Sequence, residues 1–177
     1  MRDAVPTIRK LAGVTLALVA WLAAPAAVAE TKLPEFNGRW SGSGTDRDSP
    51  MESPQPTRCR VTVKAGLTHM TSDTECNGQA GLHKVIRLSV TFAGDQFTGT
   101  AEQTSVVRGS GKAPKLRAGK VTGSRDGDIA NFEVRFPGLT PNANVALKLT
   151  SPTSFSMRVS SLGVTLTEVT YYRPAAR

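Results

Sequence analysis

Ile86-Arg87-Leu88-Ser89-Val90-Thr91-Phe92 places an apolar side chain at every second position, with Arg87, Ser89 and Thr91 between them. A period of two sends alternate side chains to opposite faces of an extended chain, one toward a core and one toward water. The rhythm recurs on both sides of this stretch. Cys59, Val61 and Val63 alternate with Arg58, Arg60, Thr62 and Lys64, and Ala130, Phe132, Val134 and Phe136 alternate with Asn131, Glu133 and Arg135. Val145, Leu147 and Leu149 repeat it, as do Phe155, Met157 and Val159. Strands that are apolar on one face only belong to antiparallel sheets.

Turn residues punctuate the runs: Lys64-Ala65-Gly66, Asn77-Gly78, Gly94-Asp95, Asp126-Gly127-Asp128, Pro137-Gly138, Pro141-Asn142, Ser151-Pro152 and Leu162-Gly163. Such clusters favour hairpin tips. About nine or ten strands follow, with no repeat and no helical heptad. The expected fold is all-β: an antiparallel up-and-down β-barrel or a strongly curved sandwich. Closure of so long a meander removes its exposed edges.

Upstream of these runs, Arg2, Arg9 and Lys10 precede an apolar stretch from Leu11 to Ala24, and Ala27-Val28-Ala29 offers a small-x-small cleavage site. Residues 1–29 therefore read as a cleaved signal peptide, followed by one domain over residues 30–177. Fourteen helical residues rise about 21 Å, short of the roughly 30 Å of a bilayer core. No cysteine stands at the cut, so a lipoprotein is not expected. The expected location is periplasmic or secreted.

Of the 177 residues, 22 are Lys or Arg and 14 are Asp or Glu, for a net charge of +8. Three basic residues and one acidic residue leave with the signal, which brings the net charge to +6. A modest basic excess favours anionic surfaces. A nucleic-acid partner is disfavoured by the export signal and by the few aromatics able to stack on bases.

The only cysteines are Cys59 and Cys76. In an oxidising compartment an even pair reads as a disulfide, closing a loop of about 18 residues. Facing cysteines across a hairpin would set Val61 opposite Thr74 and Val63 opposite Ser72, with the tip at Gly66 to His69. A zinc site is not expected, because His69 and His83 complete no zinc spacing.

Two segments break the pattern. Asp46 to Thr57 contains Pro50, Pro54 and Pro56 and reads as a mobile loop. Ser105 to Arg125 carries Arg108, Lys112, Lys115, Arg117, Lys120 and Arg125 without one acid, and reads as a long hairpin polar on both faces. Its six cations are the candidate ligand-binding residues if the ligand is anionic.

Phe36-Asn37-Gly38-Arg39-Trp40, followed by Ser41-Gly42-Ser43-Gly44, resembles the opening of the calycin barrels, the lipocalins and their relatives. The resemblance implies that Trp40 plugs the barrel floor and that an arginine, Arg158 or Arg173, covers it. Trp-x-Gly-x-Gly, Arg58-Cys59-Arg60 and a second cysteine one hairpin later also resemble small uncharacterised exported bacterial proteins. That likeness implies a fold and no activity. A fainter likeness, to periplasmic inhibitors of metalloproteases, rests on Trp40 and the Cys59/Cys76 pair. It would make Glu30 to Glu35 an inhibitory trunk.

The sequence holds no Gly-x-Ser-x-Gly elbow, no phosphate-cradling loop and no His-Glu-x-x-His. No catalytic residue, metal or cofactor is expected. Glu168 interrupts an apolar strand. Either it is a buried acid partnered by Arg158 or Arg87, or a bulge turns it outward and Val169 and Tyr171 inward; the bulge is the expectation. The expected function is non-catalytic binding in the cell envelope, of a small hydrophobic or anionic ligand. The site would be the barrel or the basic hairpin. The alternatives are protease inhibition and attachment to a membrane surface or acidic polymer. A barrel carrier requires that Ile86, Val90, Phe132, Phe136, Leu147 and Met157 leave an interior cavity.

Overall fold

A computed structural model describes residues 33–138 and 142–174. The expected signal peptide and residues 30–32 of the expected trunk lie outside them. After a short 3-10 turn at Leu33–Phe36 the described residues form ten strands. These are β1 (Gly38–Asp46), β2 (Gln55–Ala65), β3 (His69–Gly78), β4 (Leu82–Ala93), β5 (Gln96–Val107), β6 (Lys115–Asp126), β7 (Ile129–Arg135), β8 (Ala143–Ser151), β9 (Ser154–Ser161) and β10 (Val164–Tyr172). Each pairs antiparallel with the next, and β10 returns to β1, so the sheet is a closed up-and-down barrel. Closure runs from Ser41 opposite Tyr172 to Asp46 opposite Thr167.

The alternation read from the sequence is the inside-outside pattern of the barrel. Val61, Val63, Val90, Phe92, Phe132, Val134, Phe155 and Met157 are buried, while Arg58, Arg60, Arg87, Glu102, Lys120 and Arg158 stand exposed on the outer wall. A charged outer wall around an apolar interior is the reverse of a membrane-spanning barrel, whose apolar belt faces lipid. No helix among the described residues is long and apolar enough to cross a membrane.

The cysteine hairpin has the expected register: Cys59 faces Cys76, Val61 faces Thr74 and Val63 faces Ser72. The disulfide is closed and points into the barrel, both cysteines being buried. Tying off a loop of this size contributes on the order of 3 kcal/mol. A closed bridge fits a non-reducing, exported setting.

Two expectations need correction. The proline-rich loop is shorter than Asp46 to Thr57, because Asp46 ends β1 and Gln55-Pro56-Thr57 begin β2. The basic hairpin is not polar on both faces: its arms are β5 and β6, two staves of the barrel wall, with Ala101, Ser105 and Val121 buried on the inner side. At Glu168 the bulge is present. The β9–β10 register shifts between Thr165 and Thr167, Glu168 is exposed, and Val169 and Tyr171 are buried. Arg158 meets Glu168 on the outer wall, Nη2 to Oε1 at 2.6 Å.

Strand β1 explains its own motif. Trp40, Gly42, Gly44 and Asp46 share the inward parity, so one strand supplies an aromatic, two gaps and an acid along the axis. A Cβ on Gly42 would fall 2.8 Å from Tyr171 Cδ1 and 2.6 Å from the carbonyl oxygen of Thr170. At Gly44 a Cβ would collide with the carbonyl of Glu168. Gly99 on β5 and Gly123 on β6 repeat this approach to a neighbouring backbone. Glycine kinks of this kind let a sheet bend sharply enough to close.

Candidate functional site

The interior is layered. One end is packed with aromatics. Trp40 is buried, donates from Nε1 to the carbonyl oxygen of Phe36 at 2.7 Å, and meets Phe155 edge-on at 5.0 Å. Phe155 also stacks on Tyr171, with ring centroids 4.6 Å apart. Phe97 lies between Phe92 and Phe132 at 5.1 and 5.2 Å. Of the two arginines that the lipocalin likeness offered as a cover, Arg173 lies over Trp40, its guanidinium carbon 4.6 Å from the ring centroid. Arg173 Nη2 also donates to the carbonyl of Glu35 at 2.7 Å, which ties the 3-10 turn to the end of β10.

The other end is polar. Asp46 and Lys84 are both buried, and Lys84 Nζ lies 2.9 Å from Asp46 Oδ2. Thr167 donates its hydroxyl to Asp46 Oδ1 at 2.6 Å, and Asp48 stands 3.8 Å from Nζ. Because β2 and β3 separate β1 from β4 in the wall, this ion pair forms a bar across the inside of the barrel. Buried Thr57, Ser105 and Ser161 belong to the same end of their strands. Sequence reading missed the bar. Lys84 has the parity of Ile86, Leu88, Val90 and Phe92, and Asp46 has that of Trp40, so extending each alternation would have found both.

Between these layers lies a cavity of about 90 Å³. Ile86 and Leu88 from β4, Val145 and Leu147 from β8, and Val159 from β9 face it and remain half-buried, although they point to the axis. Phe132 and Met157 also line it, whereas Val90 and Phe136 do not. Among the described residues no charged side chain is in the lining; its polar members are Ser72, Thr74 and Tyr171. Only 1% of Tyr171 is exposed, and among the described residues its hydroxyl has no protein hydrogen-bond partner. A buried hydroxyl left so costs about 1–3 kcal/mol.

Burial, with a smaller contribution from the charge of Asp46, raises the Tyr171 hydroxyl above its ordinary pKa of 10.0. The unfolded chain releases this proton near pH 10 and the folded chain holds it longer. Folding stability from this group is thus complete below pH 10 and falls as pH rises beyond it, by up to about 1.4 kcal/mol per pH unit. The unfolding free energy measured with urea should fall less steeply with pH above pH 10 for Tyr171→Phe than for the parent protein. Equal slopes would mean that the hydroxyl is hydrated.

The six basic residues do not converge. Lys115 and Arg125 are ten residues apart on β6, which separates them by about 33 Å along the strand. Arg108, Lys112 and Lys115 gather at the polar end, all exposed; Arg108 Nη2 lies 3.1 Å from His83 Nδ1. Arg117 is half-buried opposite Gln103, and Lys120 is exposed on the outer wall opposite Arg135. Arg125 is at the aromatic end, its Nε donating to the carbonyl of Gly127 at 2.6 Å.

Comparison with protein-family models, curated proteins and solved structures finds no match for this chain.

Proposed function

We propose that the protein is an exported, non-catalytic, lipocalin-like binding protein that holds a small apolar ligand inside its barrel. The observation that carries this reading is the apolar cavity between the aromatic and the polar layer. A filled barrel has no reason to leave Ile86, Leu88, Val145 and Leu147 half-buried around its axis. Size limits the ligand. An apolar void of about 150 Å³ takes up benzene, and pockets for drug-sized ligands run from about 300 Å³. At 90 Å³ the resting cavity suits a molecule of a few carbons, or the tip of an alkyl chain. Met157 in the lining is flexible enough to yield to something slightly larger. The scattered cations lend less support to an anionic ligand, since no single contact reaches all six.

Ala101 is buried and lines the cavity. Titration with n-pentane, followed through the methyl resonances of Ile86, Leu147 and Met157, should give saturable shifts in the parent protein. Ala101→Leu should fill the space, abolish the shifts and leave the fold at least as stable, by up to about 1 kcal/mol. Absence of saturable shifts in the parent would overturn the reading.

A further inference from the structure

Tyr171 is held by two contacts of its ring. Its ring stacks on Phe155 at an interplanar angle of 14°, and its edge occupies the space that Gly42 leaves free. Both contacts hold the ring in its present orientation. Buried tyrosine hydroxyls ordinarily find one. Here a phenylalanine would pack the same ring without carrying an unsatisfied group, and no hydrogen bond among the described residues accounts for the oxygen. It belongs to a residue that lines the cavity, among aliphatic and aromatic neighbours.

We infer that Tyr171 is the hydrogen-bond donor that orients the guest, and that the guest is a neutral, mainly apolar molecule with one acceptor, such as the oxygen of a ketone, aldehyde or ester. The inference rests on the proposed function, since it assigns the chemistry of the same cavity. Neutrality follows from the lining. With no cation among the side chains that surround the space, a carboxylate would lose its hydration without compensation. The buried cation of the polar layer, Lys84, is already engaged by Asp46. Ser72 and Thr74 are the further hydroxyls of the lining, both on β3, and they are short side chains set two strands beyond β1 from Tyr171.

Two probes of matched size separate this inference from the reading beneath it: n-pentane and 2-pentanone, each titrated into the intact protein and into Tyr171→Phe. Both should enter the parent barrel. Tyr171→Phe should weaken 2-pentanone roughly three- to tenfold, the worth of one hydrogen bond, and leave pentane within about twofold. The ligand-free variant should also melt no lower than the parent, because the substitution removes an unsatisfied group. If Tyr171→Phe binds the ketone as tightly as the parent does, or melts lower without ligand, the hydroxyl is satisfied by the fold and the inference falls while the cavity reading stands. If neither probe enters the parent barrel, both fall together.

Discussion

Lys84→Met should destabilise the protein by about 3–5 kcal/mol, a large share of the stability of a domain this size. The charge on Asp46 is buried to 2% exposure, and its ionic partner at 2.9 Å is the Lys84 ammonium. Methionine fills most of the volume of lysine, so the loss would come from the stranded carboxylate and not from a hole. Thr167 still donates to that carboxylate, but one hydroxyl does not replace a cation. Removing both charges, as in Asp46→Leu with Lys84→Met, should return most of the loss, since well-packed apolar pairs often match a buried ion pair. Urea unfolding of the parent, the single variant and the double variant measures this directly. A single-variant loss under about 1 kcal/mol would show that water reaches the pair and that no ionic bar crosses the barrel.

The second large effect concerns closure. Gly44→Ala should cost more than about 3 kcal/mol, well above the usual loss for an added methyl group, because the new carbon meets backbone and not a movable side chain. To make room, β1 would have to draw away from Glu168 and Val169 and surrender ladder hydrogen bonds at the junction of first and last strands. Ser43→Ala is the control: it changes a neighbouring residue on the exposed outer face and should move stability by less than about 0.5 kcal/mol. Equal small losses in the two variants would mean that the strands can separate locally without penalty.

Where side chains are apolar, the fold was legible from alternation alone. Val61, Phe92, Phe132 and Met157 announce the inward face, and the paired cysteines fix one hairpin to the residue. Legibility failed where the inward positions carry no hydrophobic mark. On β5 and β6 the inner face includes Gly99, Ala101, Gly119 and Gly123, so both faces look polar and the arms read as a projecting hairpin. Curvature imposes the three glycines, since a Cβ there would strike the adjoining strand, whereas Ala101 borders the cavity. Asp46 was lost to the loop because an acid beside Arg47 and Asp48 looks solvated. Its burial depends on a lysine three strands away, which pairing alone discloses. The cavity is likewise invisible in sequence. Strand number and stagger set interior volume, and neither is written in the inward residues.

The junction of β1 with β10 has a kinetic consequence. Residues 41 and 172 pair, so the ring of strands cannot be completed until almost the whole chain is present. The cysteine hairpin is local and can assemble early, whereas Trp40 must wait for Phe155 and Arg173 to cover it. Contacts so distant along the chain make for slow folding, with the loop-closure entropy lost before the contacts repay it. During that interval β1 presents an unpaired edge and a bare indole, which makes it the segment a holding chaperone would protect.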